Sequence, residues 1–204
     1  MDSKTKQKYT TKAIDSFTTK LNLYLFNKAI KQDLANFNLE DFTHFEINAE
    51  LVDLYTTIYW QYEPEFELVP GLTIDAIYKR MDAFHKTQKD FIAEIRQDYI
   101  KVQFPKIFPK TDFDDLLNTD TCAYCKITLN EINQLAVLKQ LHKKNYRGWS
   151  LEIDRKDSNF EYKPENCVMA CYWCNNAKTD EFTFDEFVKV GAEIRKIWDD
   201  RLKK

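Results

Sequence analysis

Apolar residues recur along the first half of the chain at helical spacing. Ile14, Phe17, Leu21, Leu25 and Ala29 fall on one face of a helix over 13–34. Segment 47–62, rich in leucine and aromatic residues, predicts a second helix despite its β-branched content. The longest pattern is 74–102. There Ile74, Ile77, Met81, Phe84, Phe91, Ile95 and Tyr99 trace one face broken only by Gln88, and Thr73 is placed to cap the N-terminus. A last amphipathic stretch, 184–202, aligns Phe187, Val190, Ile194, Ile197 and Trp198, with Thr183 and Glu186 forming a capping box at its start. Segments 62–71 and 104–110 are punctuated by proline and read as loops. The aromatic stripes are core faces, because large aromatic side chains at helical spacing are what a packed interior requires. His44 and His85 stand alone without a second ligand at metal spacing and read as surface or structural histidines.

Composition agrees with this pattern. Three glycines and five prolines in 204 residues favour long helices over a turn-rich sheet architecture. The region after Asn118 differs: it holds all five cysteines and two of the three glycines, and Cys167-Val-Met-Ala reads as a short buried strand. The expected fold is therefore α+β and mostly helical: a helical region over 1–118, then a smaller module with the C-terminal helix over 119–204. The formal net charge of -3 excludes a protein that coats nucleic acid through bulk positive charge. The N-terminus is polar and lysine-rich with no apolar core behind it, and no apolar run is long enough to span a bilayer. The expectation is a soluble, cytoplasmic protein. In such a reducing compartment, paired cysteines are metal ligands more often than disulfides.

Four of the five cysteines form two CxxC pairs, Cys122/Cys125 and Cys171/Cys174. Each pair makes a tight turn that points two thiolates at one ion, and two such turns complete the tetrahedral thiolate set that structural zinc prefers. Cys167 lies outside the pairs and reads as a buried thiol. A zinc here ties together elements too short to bury a core of their own.

Between and after the pairs, the segment from Ser150 through Asp154-Arg155, Asn166 and Cys171-Tyr-Trp-Cys174-Asn175 to Lys178 resembles the HNH nuclease pattern, in the four-cysteine form of phage endonuclease VII. The resemblance covers roughly the last third of the chain. It implies a zinc-bound ββα-metal module. It also implies that Asp154 and Asn175 bind Mg2+ or Mn2+, that Asn166 pins the loop, and that Lys178 reaches a phosphate, with Lys156 and the basic stretch 139–147 available to line a backbone groove. One position departs from the family. Arg155 stands where the general-base histidine normally follows the aspartate, and an arginine does not accept a proton near neutral pH.

Three readings of that departure stand side by side. His142 supplies the base from elsewhere in the module; a hydroxide on the metal does so while Arg155 clamps phosphate; or the module binds without cutting. The expected function is metal-dependent hydrolysis of phosphodiester bonds, most simply in DNA. The alternative is a degenerate module that binds nucleic acid or a protein. The N-terminal region would supply target choice, a homodimer contact or a surface for a protein partner.

Overall fold

The computed structural model describes residues 2–61, 63–142 and 149–204. The fold is α+β and mostly helical, with two small two-stranded sheets among the described residues. The chain divides into two compact units, Asp2–Ile107 with Asn159–Glu161, and Phe108–Ser158 with Tyr162–Lys204.

The first unit is built on α1 (Ser3–Ile30), a helix of 28 residues. It starts well before its apolar face does, because Asp2 caps it: the carboxylate accepts from the Thr5 amide at 2.8 Å. It stops at Ile30, just before Gln32 takes a positive φ of 56°, and Leu34–Asn36 is a separate 3-10 turn. Asn38 and Asn48 cap α2 (Leu39–His44) and α3 (Ala49–Trp60) through their side-chain oxygens. The proline-rich loop around residue 67 contains a small hairpin, β1 (Glu67–Val69) against β2 (Leu72–Thr73), turning at Gly71 with φ 74°.

Thr73 caps α4 (Ile74–Thr87) as its position predicts, accepting from Ala76 at 3.2 Å. The single helix expected over 74–102 is in fact α4, then α5 (Lys89–Asp98), then a π turn at Tyr99–Gln103. The break falls at Gln88, with φ -113° and ψ 27°. The apolar face resumes after it, so a pattern of side chains does not register the change in backbone. A second difference lies at 104–107, expected as loop but helical as α6 (Phe104–Ile107). The π turn runs straight into it, with Phe104 keeping helical dihedrals, so Pro105 lies within a continuous helical run just after the π turn.

Aromatic rings fill the interior of this unit. Phe17 packs on Phe42 at 5.7 Å and on Tyr99 at 5.6 Å, and Tyr24 on Phe42 at 5.5 Å. Lys20 is buried among them with its ammonium donating to the Thr43 carbonyl at 3.2 Å, and burial pulls its pKa down. His44 is exposed and His85 half-buried.

The second unit opens with α7 (Lys110–Leu117) and the first CxxC turn, followed by α8 (Leu129–Val137). Thr128 and Glu131 form a complete capping box there. Strands β3 (Leu151–Arg155) and β4 (Cys167–Cys171) pair antiparallel from Leu151↔Cys171 to Arg155↔Cys167. A 3-10 turn, Pro164–Asn166, leads into β4, and α9 (Tyr172–Lys178) follows it without a linker, since Cys171 is both the last strand residue and the helix N-cap. The capping box of Thr183 and Glu186 opens α10 (Phe184–Leu202) as expected. Arg195 ties α10 to α8, donating to both oxygens of Glu131 at 2.7 and 2.8 Å.

The reason α10 lies so close to the CxxC turn is Gly191. A Cβ at that position would stand 2.7 and 2.8 Å from the Tyr124 carbonyl carbon and oxygen. Those are backbone atoms and cannot rotate away. Gly191→Ala is therefore expected to destabilise the protein by roughly 1–3 kcal/mol, as overpacking does, despite alanine's better helix propensity. Thermal unfolding of the purified variant measures this, and a melting temperature at or above wild type would refute the close-packing account.

Candidate functional site

The sulfur atoms of Cys122, Cys125, Cys171 and Cys174 all lie within 4.8 Å of one another, and all four residues are buried. Cys125 and Cys171 are 3.6 Å apart. A tetrahedron of thiolates about 2.3 Å from zinc has S···S edges of about 3.8 Å, so the cluster fits that ion. Its turns are held by backbone: the Cys122 amide donates to Ile127 at 2.9 Å, and the Ala123 amide to the Met169 carbonyl of β4 at 2.8 Å. Lys126 closes the turn with φ 61°. Cys167 is buried and lies outside the cluster, as a structural thiol would. Among the described residues, the four cysteines are the one group of three or more histidine, cysteine or acidic side chains close enough to share an ion.

The candidate reactive residues gather at the end of β3. Asp154 is largely buried, its side chain 14% exposed. Its Oδ2 accepts a hydrogen bond from the Tyr124 hydroxyl at 2.6 Å. The Lys178 ammonium stands 3.9 Å from the same oxygen and donates to the Arg155 carbonyl at 3.1 Å. Burial raises the Asp154 pKa, and the Tyr124 hydroxyl and Lys178 charge work against that rise. The Tyr124 hydroxyl is itself pushed far above the ordinary phenol range, by burial first and by Asp154 next. It is held as a donor.

Asn175 lies on the α9 face that carries Lys178, three residues apart in the helix. Its amide nitrogen donates to Glu152 Oε2 at 2.7 Å. Glu152 and Asp154 alternate along β3 and so share one strand face. Asn166 is buried and closes the loop between the strands. Its Oδ1 accepts from the Asp157 amide at 3.0 Å, its Nδ2 donates to the Asp157 carbonyl at 2.9 Å, and its own carbonyl accepts from Lys156 at 2.7 Å. The Arg155 guanidinium stacks on the Tyr162 ring at 4.7 Å, and the Lys156 ammonium lies over Phe184 at 5.3 Å.

Two residues sit where the motif alone does not put them. Lys178, expected to reach phosphate, is 2% exposed and turned inward onto Asp154 and the Arg155 carbonyl. A buried ammonium offers a phosphate no surface. His142 is exposed beside a cavity of about 560 Å3 lined by Tyr172, Trp173, Asn176 and Trp198. Trp173 and Asn176 lie about 140–160° around α9 from Lys178 at 100° per residue, so the cavity beside His142 opens on another side of the helix from the contact between Lys178 and Asp154. Of the basic stretch 139–147, residues 143–147 lie outside the described residues.

Tyr124 and Glu152 are the residues the motif did not flag. Tyr124 fills an x position of a CxxC turn, where any residue satisfies the zinc spacing. The alternation of Glu152 with Asp154 on a strand was the available signal for the second.

The oxygen donors at the strand end suit a hard divalent ion. Asp154, Asn175 and Glu152 offer carboxylate and amide oxygens from one half-buried face, and such an ion takes oxygen ligands while keeping several waters. Lys178 beside Asp154 offsets one unit of negative charge and argues for modest affinity.

No family model and no curated protein matches the chain. Among solved structures it is similar to the rare-cutting HNH restriction endonuclease PacI, with 32% sequence identity and a TM-score of 0.39. That match covers 46% of this chain and 66% of PacI, so the chain spans just under two thirds of that nuclease.

Two outcomes are expected of this site. Native mass spectrometry should find one zinc per chain, and Cys171→Ser should lose it together with the α9 fold; a metal-free, fully folded wild type would contradict the cluster's role. Tyr124→Phe should raise the Asp154 pKa further and cost about 1–3 kcal/mol. That cost should be largest where Asp154 is ionised and should fade as pH drops through its pKa. Carboxyl NMR titration reads the shift, and an unmoved Asp154 would refute the assignment.

Proposed function

We propose that the chain is a metal-dependent HNH-type endonuclease that hydrolyses phosphodiester bonds, with DNA as substrate. The observation that supports this most is the Asp154 carboxylate. It is held half-sheltered at the end of β3 by Tyr124 and Lys178, on the face it shares with Glu152 and Asn175.

Hydrolysis requires a positive charge on the phosphoryl oxygens and an acidified water, and a divalent ion at Asp154 and Asn175 supplies both. The chain's own residues do the positioning. Tyr124 fixes one oxygen of Asp154 and leaves its direction no freedom. Lys178 holds the strand end by its hydrogen bond to the Arg155 carbonyl. Asn166 keeps the following loop closed on itself, so the strand end does not fray. Arg155, stacked on Tyr162, places a guanidinium, the kind of planar group that pairs with a phosphate diester, near the strand end. Lys156 adds a second positive charge beside it. His142, beside the cavity lined by Trp173 and Trp198, is given no part in this step.

A second reading is favoured by Arg155 itself. A guanidinium in place of the base histidine suits a module that grips a nucleic-acid backbone, or a protein partner, without cutting it.

One experiment separates the two. Purified, zinc-loaded protein should nick supercoiled plasmid with Mg2+ or Mn2+ and stop on addition of EDTA. Asp154→Ala should reduce nicking to background while zinc content and DNA binding persist. DNA binding with no cleavage of DNA or RNA in any divalent metal would establish the binding module instead.

A further inference from the structure

The contact between Asn175 and Glu152 has no place in the motif that marks the site. An asparagine amide presents two nearly isosteric ends, one a donor and one an acceptor. Only the oxygen end can hold a hard cation. A free amide at a metal site must therefore spend part of its time, or part of its binding energy, in the wrong orientation.

Glu152 removes that choice. Its carboxylate accepts and does not donate when ionised, so the group it meets at 2.7 Å must be the Nδ2 end of Asn175. The chemistry of the pair fixes the flip, whatever the electron count of the two amide ends. With Nδ2 held on Glu152, Oδ1 is directed away from it. Glu152 sits two residues before Asp154 on the same face of β3, and Asn175 is one helical turn before Lys178, which faces Asp154. Strand spacing and helical rise bring the two pairs side by side.

We infer that Glu152 is a positioning residue: it orients the Asn175 amide so that its oxygen, rather than its nitrogen, faces the divalent ion held by Asp154. This rests on the metal-dependent reading above and names a residue that the reading does not need for its chemistry. Partners that orient a ligand in this way commonly set affinity by about 10–100-fold.

The role differs from direct ligation in a way that can be measured. If Glu152 only orients the amide, the orientation ceases to matter once both ends of residue 175 are oxygen. The N175D substitution makes them so. It also sets a second carboxylate against Glu152, which then hinders rather than helps.

The test is Mn2+ binding to the zinc-loaded protein, followed by electron paramagnetic resonance of the free ion and without reference to cleavage. Wild type should bind. Glu152→Ala should weaken Mn2+ by about 10–100-fold with zinc content and melting temperature unchanged. In an N175D background, adding E152A should leave affinity unchanged or improve it. Equal weakening by E152A in both backgrounds would mean that Glu152 ligates the ion directly, and would overturn the inference while sparing the metal site. Unchanged binding by E152A in the wild-type background would overturn it as well. Folded, zinc-loaded wild type that binds no Mn2+ would overturn the metal-dependent reading and this inference together.

Discussion

Everything in the second unit depends on four sulfur atoms being in one place. Four thiols crowded within 4.8 Å in a dry interior have no reason to assemble by packing alone, since sulfur makes weak hydrogen bonds and ionised thiolates repel. A cation held by all four would turn that crowding into a strong cross-link. Its reach extends through Cys171, which ends β4, caps α9 and joins the cluster. The strand cannot shift register, nor the helix rotate, without pulling that sulfur away. Tyr124 is fastened from the other side, between Cys122 and Cys125. An ion bound by the four sulfurs would, by ordering this backbone, also aim the Tyr124 hydroxyl at Asp154 and the α9 face at β3.

The strand end is an electrostatic compromise. Burial disfavours the Asp154 charge, while Tyr124 and Lys178 favour it. Lys178 is nearly inaccessible to solvent, so its own charge needs the carboxylate and the Arg155 carbonyl close by. Each group makes the other's burial tolerable. That mutual dependence accounts for a buried ammonium in the last turn of α9 standing against a buried carboxylate. It steadies the carboxylate and keeps the total charge near balance.

Much of this was legible before any coordinates. The CxxC spacing carries its own geometry, and so it identified the cluster and left Cys167 out of it. The capping box at Thr183 and the cap at Thr73 work through fixed offsets along the chain, which a sequence displays directly; the short helix opened by Thr128 went unread. Tyr124, Glu152 and the inward turn of Lys178 were hidden for a common reason. Each depends on a partner distant in sequence, Asp154 thirty residues from Tyr124 and Asn175 twenty-three from Glu152, and side-chain identity does not disclose such pairings. The break at Gln88 was hidden differently, because a helix can pause without losing the phase of its apolar face.

Asn166 has a consequence for how this module can vary. Its side chain and carbonyl clasp Lys156 and Asp157 across nine residues of chain, sealing the base of the loop at the point where β3 ends and β4 begins. The middle of that loop is committed elsewhere. Asn159–Glu161 belongs to the first unit, where Glu161 accepts from the buried Tyr99 hydroxyl, and Tyr162 is buried under the Arg155 guanidinium. A loop clasped at its base and occupied along its length has little room to change, so variation in this hairpin is expected outside 158–163.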